Sequence, residues 1–273
     1  MKKYLNIVNE VHKSPYKLTI VSSGGGTNAI SALLEVPGAS NTILESHIPY
    51  SKESMNSFLN KKPDHYCSLD TCLNMAANAF KKSKQIDTSS KTKHLLGISI
   101  TANLATTYEK KGDHKFFIVV QAYDYTKYLE CYLDKGKRTR EEEEELITAC
   151  VISLLADSCG FEYSIPEIDE DISINKVAAE KSWVKLFNNK VGFISNNKSN
   201  PELIFPGSFN PLHEGHIKMK ELAEKKTGMH TTFEICANNA DKPPLTFYEI
   251  KRTLDQFQNC LLYTSPSPRD RVL

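Results

Sequence analysis

The sequence predicts an α/β protein made of two successive units, and two stretches carry that expectation. "KLTIVS" (17–22) runs into "SGGGTNA" and then "ISALLEV", the order of a buried strand, a glycine-rich turn and a helix. "ELIF" (202–205) runs into "PGSFNPLHEG" and then "HIKMKELAEKK", which is the same order again. Between them the composition shifts, from the acidic "SIPEIDEDISINK" to the polar breaker "NNKSNPE".

In the first unit, residues 70–84 read as a helix, because Leu73, Ala76, Ala77 and Phe80 recur at i, i+3, i+4 and i+7. "HLLGISIT" (94–101) and "KFFIVVQAY" (115–123) read as strands. The run "FFIVV" suits a sheet covered on both faces. Residues 139–160 read as a long helix. Its run Glu141–Glu145 falls at the positive end of the helix dipole and reads as a solvated helix start, and Gly160 is placed to end it. The first domain is therefore set at 1–160. Residues 161–200 read as a linker with one short helix in "VAAEKSWVKLF".

The second unit spans 201–260. Its first helix carries Met219, Leu222 and Ala223 on one side. "TTFEICA" (231–237) is a strand, "NNADKPP" a loop, and "LTFYEIKRTLDQF" a helix with a strong start signal. Thr246 is its N-cap, Glu249 completes a capping box, and Leu245 and Ile250 form a hydrophobic staple. The order βαβα is the first half of a nucleotide-binding sheet. The tail 261–273, "LLYTSPSPRDRVL" after Cys260, has neither helical nor strand period. It reads as a disordered tail or as translated adapter sequence foreign to the fold.

Composition narrows the function classes. Lys and Arg number 34 against 33 Asp and Glu, a net charge of +1, so nothing points to nucleic acid or to a membrane surface. An anionic ligand must be captured by a local site. The start "MKKYLNIVNEVHKSPYK" has no apolar core and is no signal peptide. The longest apolar run, "ACVISLLA", is far short of the ~20 residues that span a bilayer. Seven scattered cysteines without a CxxC pair fit a reduced, cytoplasmic setting with no zinc or disulfide framework.

The stretch "GSFNPLHEGH" has its own chemical logic. Nucleotidyl transfer needs no covalent intermediate, only aligned phosphates and donors for the charge that builds on them. A helix N-terminus offers free N–H groups to phosphate. His213 and His216, three apart at the loop–helix junction, can point the same way. Gly207, Phe209, Asn210, Pro211, His213, Gly215 and His216 form a G-x-F-[DN]-P-x-H-x-G-H pattern. It resembles the signature of the cytidylyltransferase-like nucleotidyltransferases, a superfamily that includes the nicotinamide-nucleotide adenylyltransferases. The resemblance implies a Rossmann-like domain of which 201–260 is the first half. It implies transfer from ATP or CTP, with Mg²⁺, to a phosphorylated acceptor such as nicotinamide mononucleotide. His213 and His216 become catalytic, and Gly207, Ser208, Phe209, Asn210 and Gly215 nucleotide-binding. Gly207 would let the backbone approach the nucleotide. Asn238 and Asp241 would lie near the site, and Lys218 or Lys220 could assist. The superfamily's downstream Ile-Ser-x-Thr-x-x-Arg-like stretch is not in this chain.

Residues 17–160 resemble, in order, the C-terminal domain of CinA, the nicotinamide-mononucleotide deamidase family. "VSSGGGTNAISALLEVPGAS", "IPYSKESM", "LDTCLNMAANAF", "GISITANLATTYEKKGDHKFFIVVQA" and "KRTREEEEELITACVISLL" carry the likeness. It implies amide hydrolysis with Ser23 as nucleophile, and a nicotinamide-nucleotide pocket with Tyr50, Thr101 and Arg140 (or Arg138). The family's acid falls on Ser22, its next threonine on Gly25 and its glycine after Thr101 on Ala102. Its lysine base falls on Met55, which takes no proton, while Lys52 lies three residues earlier. The two resemblances together imply a pyridine-nucleotide nucleotidyltransferase with a degenerate deamidase-like domain, possible homo-oligomerisation through that domain, and no nucleic-acid or membrane partner. The alternatives are a non-catalytic nicotinamide-nucleotide-binding or scaffold protein, and an active amidohydrolase through Ser23.

Overall fold

The computed structural model describes residues 2–108, 111–188, 190–195, 202–238, 243–257 and 262–266. The chain forms two compact units, Met1–Lys176 and Val177–Leu273. Among the described residues no helix is long and apolar enough to cross a membrane.

The first unit is a six-stranded mixed sheet with helices on both faces. Its elements are α1 (Leu5–Lys13), β1 (Lys17–Ser23), α2 (Thr27–Leu34), β2 (Ile43–His47), α3 (Lys52–Leu59), α4 (Leu69–Ile86), β3 (Leu95–Asn103), β4 (His114–Gln121), β5 (Tyr125–Leu133), α5 (Arg140–Ser158) and β6 (Ile172–Ala178). The strand order is β2-β1-β3-β4-β5-β6. β1 is parallel to β2 and β3, and β4 runs antiparallel to both β3 and β5. The run Phe116–Val120 is buried throughout, as a sheet covered on both faces requires. One face packs α1, α2 and α5 over Ile20, Ile98, Ile118 and their neighbours. On the other face α4 crosses β3 so closely that a Cβ at Gly97 would stand 2.2 Å from the Phe80 backbone nitrogen.

Helix α5 starts and ends where its sequence says. Thr139 and Glu142 close a capping box, and Gly160 turns left-handed at φ +85°. The acidic run within it is not a solvated face. Glu143 is fully buried, and Glu145 accepts hydrogen bonds from Tyr4 and Lys3 at 2.8 and 2.9 Å, which tie the N-terminus to α5.

The stretch expected to be a linker is structural at both ends. Phe161, Tyr163, Ile165, Ile168 and Ile172 pack against the first core, and β6 completes that sheet. Arg138 grips Glu170 through its two terminal guanidinium nitrogens. Further along, α6 (Lys181–Phe187) buries Trp183 and Leu186 in the second unit's core, and β7 (Ile194–Ser195) joins its sheet. Isoleucines three and four positions apart among acidic residues carried this signal. The surrounding charge masked it.

The second unit contains β8 (Leu203–Gly207), α7 (Glu214–Thr227), β9 (Thr231–Asn238), α8 (Phe247–Leu254) and β10 (Leu262–Pro266). β8, β9 and β10 are parallel, and β7 pairs antiparallel with β10. Thus 262–266, expected to lack structure, form a strand. Residues 267–273 lie outside the described residues. The capping box of Thr246 and Glu249 is present, and Ile250 and Leu245 join the core as a staple would. Helix α7 is rotated from its expected setting, with Met219 and Leu222 59% and 53% exposed. Its inner side runs through Ile217 and Glu224. The Glu224 carboxylate accepts the Thr231 N–H at 2.8 Å, so a polar bond at the mouth of β9 fixes the helix register.

Cutting the chain after residue 160 should strip five apolar side chains from the first core. A fragment ending at 178 is expected to unfold at least about 10 °C above one ending at 160, by thermal circular dichroism. The Arg138 guanidinium holds the Glu170 carboxyl down to about 2. A depressed carboxyl contributes stability above its unfolded value, near 4.3, which is lost as pH falls towards 2. Glu170→Gln should therefore flatten the loss of stability between those pH values, as read by denaturant titration.

Candidate functional site

The glycine turn of the first unit lies at the carboxyl end of β1, where ligands gather in open α/β sheets. Register pairs Ser23 with Thr101 on β3, so these two expected residues are adjacent. Thr101 is fully buried and donates to the Tyr66 carbonyl at 3.4 Å. Ser23 donates to the Pro49 carbonyl at 3.0 Å, while Tyr50, the next residue, is 71% exposed. Met55, at the expected lysine position, points into the core with Val21, Leu59, Met75 and Ala79. Lys52 is exposed, with its ammonium 6.0 Å from the centre of the Tyr66 ring. The Ser23 hydroxyl is thus hydrogen-bonded to a carbonyl, which is no general base.

The turn itself is clamped by α5. Gly24 is left-handed at φ +79°, and a Cβ there would stand 2.0 Å from the Ala102 carbonyl oxygen. The N–H of Gly26 donates to Glu144 at 2.6 Å. Arg140 donates to the Gly24 carbonyl at 2.7 Å and to Glu144 at 3.2 Å. Arg140, expected in the nicotinamide-nucleotide pocket, braces the turn. Arg138 is held by Glu170. The buried Ser22 hydroxyl closes the turn onto the Gly25 carbonyl at 2.6 Å. Beside the clamp lies a cleft of about 750 Å³, lined by Thr106, His114, Lys135, Arg138 and Arg140 among others. The buried Glu143 pairs with His114 at 3.0 Å and takes the Ala105 N–H at 2.6 Å. Sequence reasoning missed Glu143 and Glu144, because five consecutive glutamates hide which of them face inward.

The second unit's histidine turn joins β8 to α7. His213 is the N-cap of α7 and His216 its third helical residue. Their rings stack, with centroids 3.7 Å apart and planes 24° apart. The backbone N–H of His213 donates to His216 Nδ1 at 3.3 Å. An accepting Nδ1 leaves the proton of a neutral imidazole on Nε2. Partial burial, and then the charge of His213, push His216 below the ordinary histidine value and favour that neutral donor. Gly215 keeps room for the stack, since a Cβ there would sit 3.1 Å from the His213 ring.

Two expected nucleotide-binding residues do other work. Phe209 is 2% exposed, its ring wedged among Phe205, Phe233, Phe257 and His216. A Cβ on Gly207 would meet that ring at 2.6 Å. Gly207 therefore makes space for the ring of Phe209. Ser208 and Asn210 are exposed on the turn. Gln256 was not legible in the sequence. Its side chain accepts the Leu212 N–H at 2.7 Å and donates to the Phe209 carbonyl at 3.1 Å. Lys218 pairs with Glu214 at 2.9 Å and Lys220 with Glu224 at 3.6 Å. Asn238 ends β9 and Asp241 lies outside the described residues. No group of three acidic, histidine or cysteine side chains suited to a metal occurs among the described residues.

No protein-family model matches the chain, and no curated protein matches it. Among solved structures it is similar to the competence/damage inducible protein CihA from Agrobacterium tumefaciens, with 14% identity over 57% of this chain and 88% of that one and a TM-score of 0.40. A CinA superfamily protein from Klebsiella pneumoniae matches at 12% identity over 57% and 92%, with a TM-score of 0.41. A competence or damage-inducible protein from Enterobacter asburiae matches at 16% identity over 56% and 94%, with a TM-score of 0.42. A likeness at this level carries no argument about activity or site residues.

Gly24→Ala should force a methyl against a backbone carbonyl in a left-handed turn. We expect a loss of about 3 kcal/mol from the first unit, measured by denaturant unfolding.

Proposed function

We propose that the chain acts in pyridine-nucleotide chemistry, with nucleotidyl transfer located at the histidine turn of the second unit. On this reading an oxygen of a phosphorylated acceptor, such as nicotinamide mononucleotide, attacks the α-phosphate of ATP or CTP and pyrophosphate leaves. The observation that carries it is the stacked pair at the first turn of α7, with His216 Nδ1 accepting the His213 N–H, an arrangement that puts the proton of a neutral ring on Nε2. A fixed neutral donor beside a helix N-terminus suits charge that builds on the α-phosphate and the leaving group. Mg²⁺ bound to the triphosphate would neutralise part of that charge.

A second reading concerns the first unit, which we take as a nicotinamide-nucleotide-binding domain without hydrolytic activity. It is favoured by Met55 in the core and by the Ser23 hydroxyl directed at a carbonyl. Calorimetry with nicotinamide mononucleotide separates the cases. Binding without ammonia release supports this reading, and ammonia release that Ser23→Ala abolishes contradicts it.

Incubation with ATP or CTP, Mg²⁺ and nicotinamide mononucleotide should release pyrophosphate. His216→Ala is expected to lower kcat by about 10²–10³-fold, the cost of one transition-state donor, at an unchanged melting temperature. Wild-type protein that releases none with any phosphorylated acceptor would contradict the proposal.

A further inference from the structure

We infer that Gln256 is the positioning residue of the histidine turn, its side-chain amide setting the path of residues 209–212 and hence the placement of the stacked imidazoles. The inference rests on the function proposed above. Gln256 stands in the short 3₁₀ turn Asp255–Phe257 that follows α8, remote in sequence from "GSFNPLHEGH". Its Oε1 accepts the Leu212 N–H at 2.7 Å, and its Nε2 donates to the Phe209 carbonyl at 3.1 Å. The amide group thus closes a ring with the backbone of the turn, contacting it on both sides of Asn210 and Pro211. The other hydrogen of Nε2 is directed back to the carbonyls of Arg252 and Thr253, at 3.4 and 3.5 Å.

The next residue adds an apolar hold. Phe257 is buried, and its ring meets the Phe209 ring edge-on with centroids 5.5 Å apart. Two adjacent residues therefore grip the turn, one through its backbone and one through its buried ring. His213 follows Leu212 directly and caps α7, so a shift at Leu212 moves the N–H that His216 Nδ1 accepts. An amide suits this place because it offers an acceptor and a donor from one rigid plane. A carboxylate keeps the first bond and loses the second.

Phe209, expected at the nucleotide, commits its carbonyl to Gln256, as Leu212 commits its N–H. That leaves the two imidazoles and the exposed Ser208 and Asn210 to meet a ligand. A misplacement of about 1 Å in such a group lowers turnover by roughly 100-fold.

The test compares the full chain with Gln256→Leu and Gln256→Glu. Two readouts are used: pyrophosphate release, and the proton NMR titration of the His216 ring. We expect kcat to fall roughly 10–100-fold in Gln256→Leu, and less in Gln256→Glu, with KM for the triphosphate changed less than about threefold. We also expect the His216 titration to move up towards the ordinary histidine value in Gln256→Leu as the ring loses its fixed setting. The inference is overturned if both folded variants keep the wild-type kcat and the wild-type His216 titration. A fall in KM-dependent terms alone would also overturn it. Should Gln256→Leu fail to fold, the Gln256→Glu comparison decides alone. If the wild-type protein releases no pyrophosphate, the function proposed above fails, while the NMR titrations still judge the role of Gln256.

Discussion

The ring of Phe209 fills the space in which a side chain at residue 207 would begin, and the histidine turn hangs on that substitution. The backbone of Phe209 itself is left-handed at φ 44°, which turns the chain sharply after β8 and drives the ring inward. Burying a phenylalanine contributes about 1.5–3 kcal/mol, enough to offset a strained backbone position of order 1–2 kcal/mol. Phe205, Phe233 and Phe257 pack around that ring, and His216 meets Phe205 and Phe209 edge-on. Loss of that ring would leave Gly207 with no reason to be glycine and the turn with no anchor.

The first unit solves a similar problem by charge. Its turn has three glycines and therefore little intrinsic shape. Glu144 and Arg140 supply the shape from α5, one holding the Gly26 N–H and the other the Gly24 carbonyl. The arginine holds the shape of the turn, and the methionine in the core takes no proton.

Much of the architecture was legible because local signals agreed with one another. The capping box at Thr246, the long helix from 139, its stop at Gly160 and the doubly buried "FFIVV" all stand where patterning put them. What escaped was information held in tertiary partners. Residues 161–178 look acidic and loose, yet their isoleucines seal the first core. Met219 and Leu222 look like the inner face of α7, but Glu224 fixes the helix through Thr231 and turns them outward. The candidate site divides in the same way. The pattern picked out His213 and His216, and they do stack at a helix start. It could not say that Phe209 is an anchor, that Gly207 serves that anchor, or that Gln256 completes the turn, because each role depends on a neighbour distant in sequence.

The central claim is that the stacked imidazoles at the head of α7 receive a triphosphate. The most direct measurement is the proton NMR spectrum of the His213 and His216 rings while ATP and Mg²⁺ are added to the intact protein. A saturable shift of both ring resonances, absent when adenosine replaces ATP, is the result this account predicts. Ring resonances that stay unmoved up to millimolar ATP would contradict it.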